Sequence, residues 1–525
     1  MTAERPPRTR TGPVGDSLVT DPRQRRAILI AVSLALLAVV ASVTGLNVAQ
    51  PALAVDFGAS QSTVVWIMNG YVLSLAALLL PMGAAGDRWG RKPVLTVGLA
   101  AFAVTSAAAA VAPTAGVMIA ARVLNGASAA MIMPVTLAVI TSNFPVADRG
   151  RAIGVWTGVG GAGAVLGMVL SALLVDTWGW RSLFVVPVVL VLVSSAVAWR
   201  CVPDSRGVAQ RPFDVVGCTA SVLGVVGLIF FFHEVPDRGW AAPGTITGLA
   251  VGVAGTAGFV AWQLRHPAPL LDVRLFRERG LGGGTLTLAA VFAVHAGSSV
   301  LLYPLLQTVF GFTSLLSAAA LLPMAVLMMI ASGFAPRLAA RIGARATMAA
   351  GLGLTAAGLV LLAVFTSVEA GFPGVVPGLI ALGIGMGSAM PPATEAITGA
   401  LPPADQGVAS ALNDIARELG AAVGIALLGA MLAAGYRDDV GRALDGVPPA
   451  TAAAARAGVA NAVEAARGAG RLEQPLAGAA SHSFVHALHS ALWAGAVLVA
   501  VLLVVVLALL PKSPGTSPAR GNRAG

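Results

Sequence analysis

The chain has 525 residues, 57% of them apolar and only 11% charged, with a mean hydropathy of +0.84 and a net charge of +10. A water-soluble core cannot absorb that much apolar surface, and the cations sit in short segments between apolar runs, so the positive balance is not a nucleic-acid footprint. Helices are the expected element, because open strands in lipid would leave backbone groups unpaired.

After an Arg-, Pro- and Thr-rich tail over 1–26, expected to be disordered and too poor in apolar residues for a cleaved signal, about fourteen runs are long enough to span hydrocarbon. They fall near 27–48, 61–82, 93–112, 114–139, 152–175, 182–200, 213–232, 244–264, 283–309, 315–335, 346–366, 373–395, 409–433 and 484–510. The expected organisation is a six-span half over 27–205, two linking spans over 206–281, and five spans over 282–435. A loop over 436–483 outside the cell, a last span and an inner tail over 511–525 complete it. With both termini in the cytoplasm, 24 of the 33 Lys and Arg lie on the inner side, among them Arg25, Arg149, Arg206, Arg341 and Lys512. That bias follows the positive-inside rule and predicts a multi-pass protein of the cell membrane. The two cysteines, Cys201 and Cys218, flank one inner loop and suggest neither a disulfide framework nor a metal site.

Between the second and third runs stands Gly83-Ala84-Ala85-Gly86-Asp87-Arg88-Trp89-Gly90-Arg91-Lys92, one carboxylate and three cations among glycines. Gly83 and Gly86 are expected to let the flanking helices approach, Gly90 to reverse the chain, and Arg88, Arg91 and Lys92 to meet headgroups. This stretch resembles the signature loop of the major facilitator superfamily, and residues 333–345 echo it in the second half, with Ala340 where Asp87 would fall. Further resemblance comes from Arg122-Val123-Leu124-Asn125-Gly126, from Asp148-Arg149-Gly150-Arg151, from Trp178-Gly179-Trp180-Arg181 and from Gly407-Val408-Ala409-Ser410 running into Asp414 and Arg417-Glu418. With the two extra central spans, the ordered set is similar to fourteen-span drug:proton antiporters. The resemblance implies an all-α membrane fold of two six-helix bundles plus two linking helices, with the substrate path between the bundles. It also implies a gating role for Asp87.

Two departures stand out. Ser42 takes the place of the acid usual in span one of that branch, and span five lacks its proline, so a proline kink is not expected there. Ionisable groups at membrane depth are costly and are therefore candidates for proton coupling: Arg122, His295, Glu395 and Asp414. Each has a blander alternative, namely a structural ion pair for Arg122, a hydrogen-bonded interior histidine for His295, and a neutralised helix start for Asp414 with Arg417. Asn47, Asn69, Asn125 and Gln307 either face a cavity or join helices by hydrogen bonds. His482, His486 and His489 at helical spacing are expected to be solvated at a helix start, and no nucleotide loop is present, so no cofactor or metal is expected and the proton gradient is the expected energy source. The function implied is proton-coupled export of drugs, antibiotics or other amphipathic compounds by a monomer, with no enzymatic activity. The alternatives are a metabolite carrier of the same fold and a non-transporting membrane sensor. Because Ser42 removes the obvious partner of cationic substrates, neutral, zwitterionic or anionic compounds are expected to be preferred.

Overall fold

Apolar runs become helices here because each residue must satisfy its own backbone, and many of the helices run past their hydropathy limits, α1, α2, α5, α14 and α17 by a turn or more at one end. The computed structural model describes residues 18–59, 61–205, 213–442, 444, 447–466 and 473–509, so Arg206, Lys512 and residues 1–17 of the tail lie outside the described residues, while 22–26, expected in the tail, already belong to the first helix. The first half holds α1 (Pro22–Asp56), α2 (Gln61–Trp89), α3 (Arg91–Ala110), α4 (Ala115–Asn143), α5 (Val146–Trp178) and α6 (Val185–Cys201). The linking pair is α7 (Val215–Arg238) and α8 (Pro243–Arg265). The second half holds α9 (Arg279–Pro304), α10 (Ser314–Ala320), α11 (Leu322–Ile342), α12 (Ala344–Phe365), α13 (Gly371–Ala400) and α14 (Gln406–Gly441). Two short helices, α15 (Pro449–Ala457) and α16 (Val459–Ala466), precede the last span, α17 (Glu473–Leu509). Among the described residues thirteen spans are long and apolar enough to cross a membrane, α10 and α11 counting as one, and α5 makes fourteen.

The two halves repeat one packing scheme. In the first, α2 packs on α4, α1 on α5 and α6, and α3 on α4 and α6; in the second, α11 packs on α13, α9 on α14 and α17, and α12 on α13 and α17. Across the halves, α2 meets α14 and α11 meets α5, again as counterparts. That regularity is what a pair of parallel repeats leaves. The side where α1 begins is called the N-terminal face below.

Three local features differ from the expectations. The stretch 83–92 is not a loop: α2 continues through Trp89, and a single residue, Gly90 (φ 106°, ψ 140°), separates it from α3. Only glycine adopts that backbone without strain. The close approach of Gly83 and Gly86 is likewise not between α2 and α3, since a side chain at Gly83 would run into Gly407 O of α14, 2.4 Å away, and one at Gly86 into Val135 of α4. Finally, α5 bends by 41° between Val146–Gly161 and Leu166–Val175 without a proline, in a glycine-rich stretch.

The linking helices form a hairpin of their own. Asp214 caps α7 through Gly217 N–H (2.8 Å) and also accepts from Trp262 Nε1 (2.9 Å) and Gln263 Nε2 (2.8 Å) of α8. At its base Phe213 stacks on Trp89 of α2, with centroids 5.7 Å apart. Val225 and Ile229 of α7 pack with Ala76 of α2 and Ala422 of α14, so the hairpin covers the seam between the halves on that side.

Much of the 436–483 stretch is helical rather than open loop: α14 extends to Gly441, and α15 and α16 bury Ala452, Ala455, Val459 and Ala462. Tyr436 Oη donates to Ala455 O at 3.1 Å, tying α15 back to α14.

Candidate functional site

Between the halves lies a cavity of about 660 Å³. Its walls are mostly apolar, with the adaptable side chains Met68, Met133, Met168 and Met324 drawn from both halves. A few charged and polar groups interrupt them: Arg122 from α4, His295 from α9, and Arg417 with Glu418 from α14. Pro304 ends α9 and the next turn, Leu305–Val309, is a π-turn, which brings Gln307 to the wall.

Arg122 is 1% exposed, with its guanidinium 4.2 Å from the centroid of the Tyr71 ring. Its Nε makes only a long 3.5 Å contact to Ile67 O, and Nη1 has no acceptor among the described residues. Tyr71 is itself fixed by its hydroxyl donating to Val39 O at 3.2 Å. Arg417 spans the interface of the halves, 4.5 Å from the Phe292 ring on α9 and 5.5 Å from the Trp156 ring on α5. Its Nη1 lies 3.5 Å from Asp414 Oδ1, which also accepts from Asn413 Nδ2 at 3.2 Å, while Asp414 Oδ2 has no partner among the described residues. His295 Nδ1 is buried without a partner among the described residues.

The sequence candidates therefore separate. Arg122, His295, Asn69 and Gln307 line the cavity, whereas Asp414 stands behind Arg417 and does not. Asn125 is a helix joiner, donating to Phe102 O (3.2 Å), Thr105 Oγ1 (2.9 Å) and Ser106 Oγ (2.8 Å) of α3. The side chain of Asn47 lies outside the described residues. Glu395 is exposed at the N-terminal face, next to Gly150 and within the field of Arg149, away from the cavity. Ser42 is buried, its hydroxyl has no partner among the described residues, and it is not part of the wall. Two wall residues escaped sequence reasoning. Glu418 stands beside Arg417 and one turn from Asp414 on α14, and hydropathy could not say which of the three turn inward; His233 comes from the linking hairpin, which a two-repeat reading leaves out of the path.

At the N-terminal face the halves are shut against each other. Asp87, 8% exposed, receives Gly407 N–H at both oxygens (2.9 and 2.7 Å) and Val408 N–H at Oδ2 (3.1 Å). These are orphan donors of the first turn of α14, and a carboxylate there also meets the positive end of the helix dipole. Arg91 Nη2 bridges Asp87 Oδ1 (2.9 Å) and Pro403 O (3.2 Å). On the opposite seam Thr157 Oγ1 and Ser332 Oγ share a 2.8 Å hydrogen bond, and Ser332 Oγ donates to Gly154 O at 2.9 Å. Lys92 lies 5.8 Å from the Trp199 ring centroid and Arg88 is exposed, so the three cations of the stretch have three different surroundings.

The three histidines of α17 go to separate partners: His489 Nε2 to Thr366 O (2.7 Å), His486 to Asp439, and His482 to Glu369 at 3.8 Å. Glu369, in the turn after α12, is held below the usual carboxylate range by hydrogen bonds from its own backbone N–H and the Ser367 side chain. No group of three or more metal-ligating side chains occurs among the described residues.

Comparison with known proteins places this geometry. The family described as Major Facilitator Superfamily matches residues 32–425. "Multidrug efflux pump LfrA" of Mycolicibacterium smegmatis is 33% identical over 440 residues, covering 84% of this chain and 87% of that protein. "Tetracenomycin C resistance and export protein" of Streptomyces glaucescens is 30% identical over 411 residues, covering 78% and 76%. Among solved structures, a bacterial homolog of the human lysosomal transporter Spinster, inward-facing and unoccupied, aligns over 94% of this chain and all of that one with a TM-score of 0.58 at 17% identity, which bears on the fold alone.

Proposed function

The chain belongs to the major facilitator superfamily, and on that premise we propose that it is a proton-coupled exporter of drugs, antibiotics or other amphipathic small molecules across the cell membrane, with both termini cytoplasmic and acting as a monomer. The observation that carries this reading is the 660 Å³ cavity between the halves, methionine-lined, with buried charges and a shut N-terminal face. A compartment of that size accepts a drug-sized molecule. The relatives named for multidrug and tetracenomycin C export support the direction and the class of cargo.

Alternating access follows from the two seams. Breaking the Asp87 cap and the Thr157–Ser332 bond opens the cavity to the N-terminal face; remaking them returns it to the state described here. Without an acid at Ser42, the proton carriers we assign are on α14 and α9: Asp414, with one bare buried oxygen, and Glu418 and His295 at the wall. Arg417 links them, because it faces Asp414 on one side and the cavity on the other. Glu395, exposed and outside the cavity, is a weaker carrier on this geometry.

The test is accumulation of a chemically varied dye and antibiotic panel in a host stripped of its own pumps, followed by pH-gradient collapse in inverted vesicles on adding an exported compound. Glu418→Gln and Asp414→Asn should suppress proton flux more than Glu395→Gln. Unchanged accumulation of every compound on expression would end the efflux reading. Export without proton flux would leave a facilitated carrier.

A further inference from the structure

We infer that Arg122 is the anchor for an acidic group on the transported compound, so that the favoured cargo is an amphipathic organic acid or zwitterion. The inference rests on the efflux reading and concerns what the same cavity selects.

The four charges around the cavity are unevenly paired. Arg417 has Asp414 at 3.5 Å and Glu418 next to it on the helix. Arg122 has no carboxylate within 4 Å among the described residues; its compensation is the Tyr71 ring and one over-long contact to Ile67 O. An aromatic face is worth little beside a carboxylate, and a buried cation left so poorly served is costly by itself. That cost is relieved when an anion enters the cavity that Arg122 lines, and the guanidinium fork fits a carboxylate or a phenolate oxygen. The methionines take up the apolar body without demanding one shape. Glu418, on the α14 wall, would receive the amine of a zwitterion, whereas a compound with two cationic ends finds a single carboxylate on the wall and two guanidinium groups against it.

The test uses one scaffold in two charge states, rhodamine B with its free carboxylate and its ethyl ester. Binding to the purified full-length protein in nanodiscs is measured by fluorescence anisotropy, and export is measured in inverted vesicles. The wild type should bind the acid about 10- to 100-fold more tightly than the ester, the range of a charge-assisted buried hydrogen bond. Arg122→Gln should bring the ratio near one, and Arg122→Lys, which keeps the charge and loses the fork, should leave a ratio in between. Equal or tighter binding of the ester by a wild type that exports it overturns the anchor and leaves efflux standing. A wild type that neither binds nor exports any compound of the pair or of the wider panel removes the efflux reading, and the anchor with it. The wild-type ratio decides the matter even where Arg122→Gln fails to fold.

Discussion

The turn between α2 and α3 and the turn between α11 and α12 occupy equivalent places in the two halves and are built alike at the backbone. Gly90 (φ 106°, ψ 140°) and Gly343 (φ 89°, ψ 150°) each form a one-residue break between consecutive helices. Setting Gly343 on Gly90 is an offset of 343 − 90 = 253 residues, which puts Ala340 on Asp87 and Pro336 on Gly83. Both seams use the pair of helices that the repeat predicts, yet they close differently. In one, backbone touches backbone at Gly83 and Gly407 and a buried carboxylate caps the start of α14. In the other, Pro336 packs on Gly150 and Gly154 of α5, Ala340 is exposed, and the first turn of α5 is served locally, with Asp148 and Arg149 N–H both donating to Pro145 O. A repeated scaffold therefore carries one electrostatic latch and one seam held by packing and the neutral Thr157–Ser332 hydroxyl pair. The latch, which needs a single displaced charge to release, is the element suited to switching.

The contrast is broken most strongly at the backbone contact. Gly407→Leu places a side chain where Cβ alone would stand 2.2 Å from Gly83 O, and neither helix can yield without moving the seam. Overpacking of that kind costs about 3 kcal/mol, so the shut state should lose population by about a hundredfold and transport should fall to background while membrane insertion is normal. The readout is the maleimide labelling rate of a cysteine at Ala411, buried against Gly83, in a background without Cys201 and Cys218. Gly154→Leu, on the other seam, should be severe as well, since its Cβ would stand 2.7 Å from Ser332 O.

Next comes Asp87→Asn. It keeps the shape but gives up the charge, the Arg91 ion pair and one acceptor, leaving Gly407 and Val408 N–H competing for a single oxygen. Loss of a charge-assisted cap is worth about 2 kcal/mol, or about 30-fold in the labelling rate at position 411. Labelling that matches the wild type would reduce Asp87 to a topological charge.

Which of these features the sequence could disclose depends on what each one costs locally. Spans were legible because twenty apolar residues in a row have no other use, and Arg122 and His295 stood out because such groups are rare at that depth. The end of α2 was misplaced because charge ends an apolar window without ending a helix: Arg88 and Trp89 remain helical and only Gly90 breaks the ladder. The bend of α5 is not legible from proline, because a glycine-rich stretch supplies it instead. Asn125 and Asn69 look alike in sequence, yet one is spent on α3 and the other faces the cavity, a difference set by rotation of a helix about its axis. Glu418 was passed over for the same reason, and His233 because it enters from the linking hairpin.

A smaller effect is expected at Glu395. It lies beside Gly150 and Arg149 at the packed seam, as Asp87 lies beside Gly407 at the latched one, but it is exposed and accepts no backbone N–H of α5 among the bonds of the described residues. An exposed pair contributes about 0.5–1 kcal/mol, so Glu395→Gln should change labelling of a cysteine at Ser332 by no more than about fivefold. A loss as large as that of Asp87→Asn would mean that both seams are electrostatic latches.

The smallest effect sharpens the contrast from the other side. Ala340→Asp restores at the second turn the carboxylate that the first turn carries, and if the motif acted by its residues alone it would create a second latch. The site argues otherwise. Ala340 is exposed where Asp87 is buried, and its counterpart helix begins at Val146, a full turn before Gly150, whereas α14 begins at Gln406, one residue before Gly407. An aspartate at 340 therefore has no orphan donor to accept from and stays hydrated. Substitutions of that kind fall within about 0.5 kcal/mol, so labelling at Ser332 and transport rate should stay within about a factor of two of the wild type. Slower labelling beyond that factor would show that the new carboxylate reaches α5, and that the asymmetry of the two seams comes from one missing side chain rather than from the register at which each fifth helix starts.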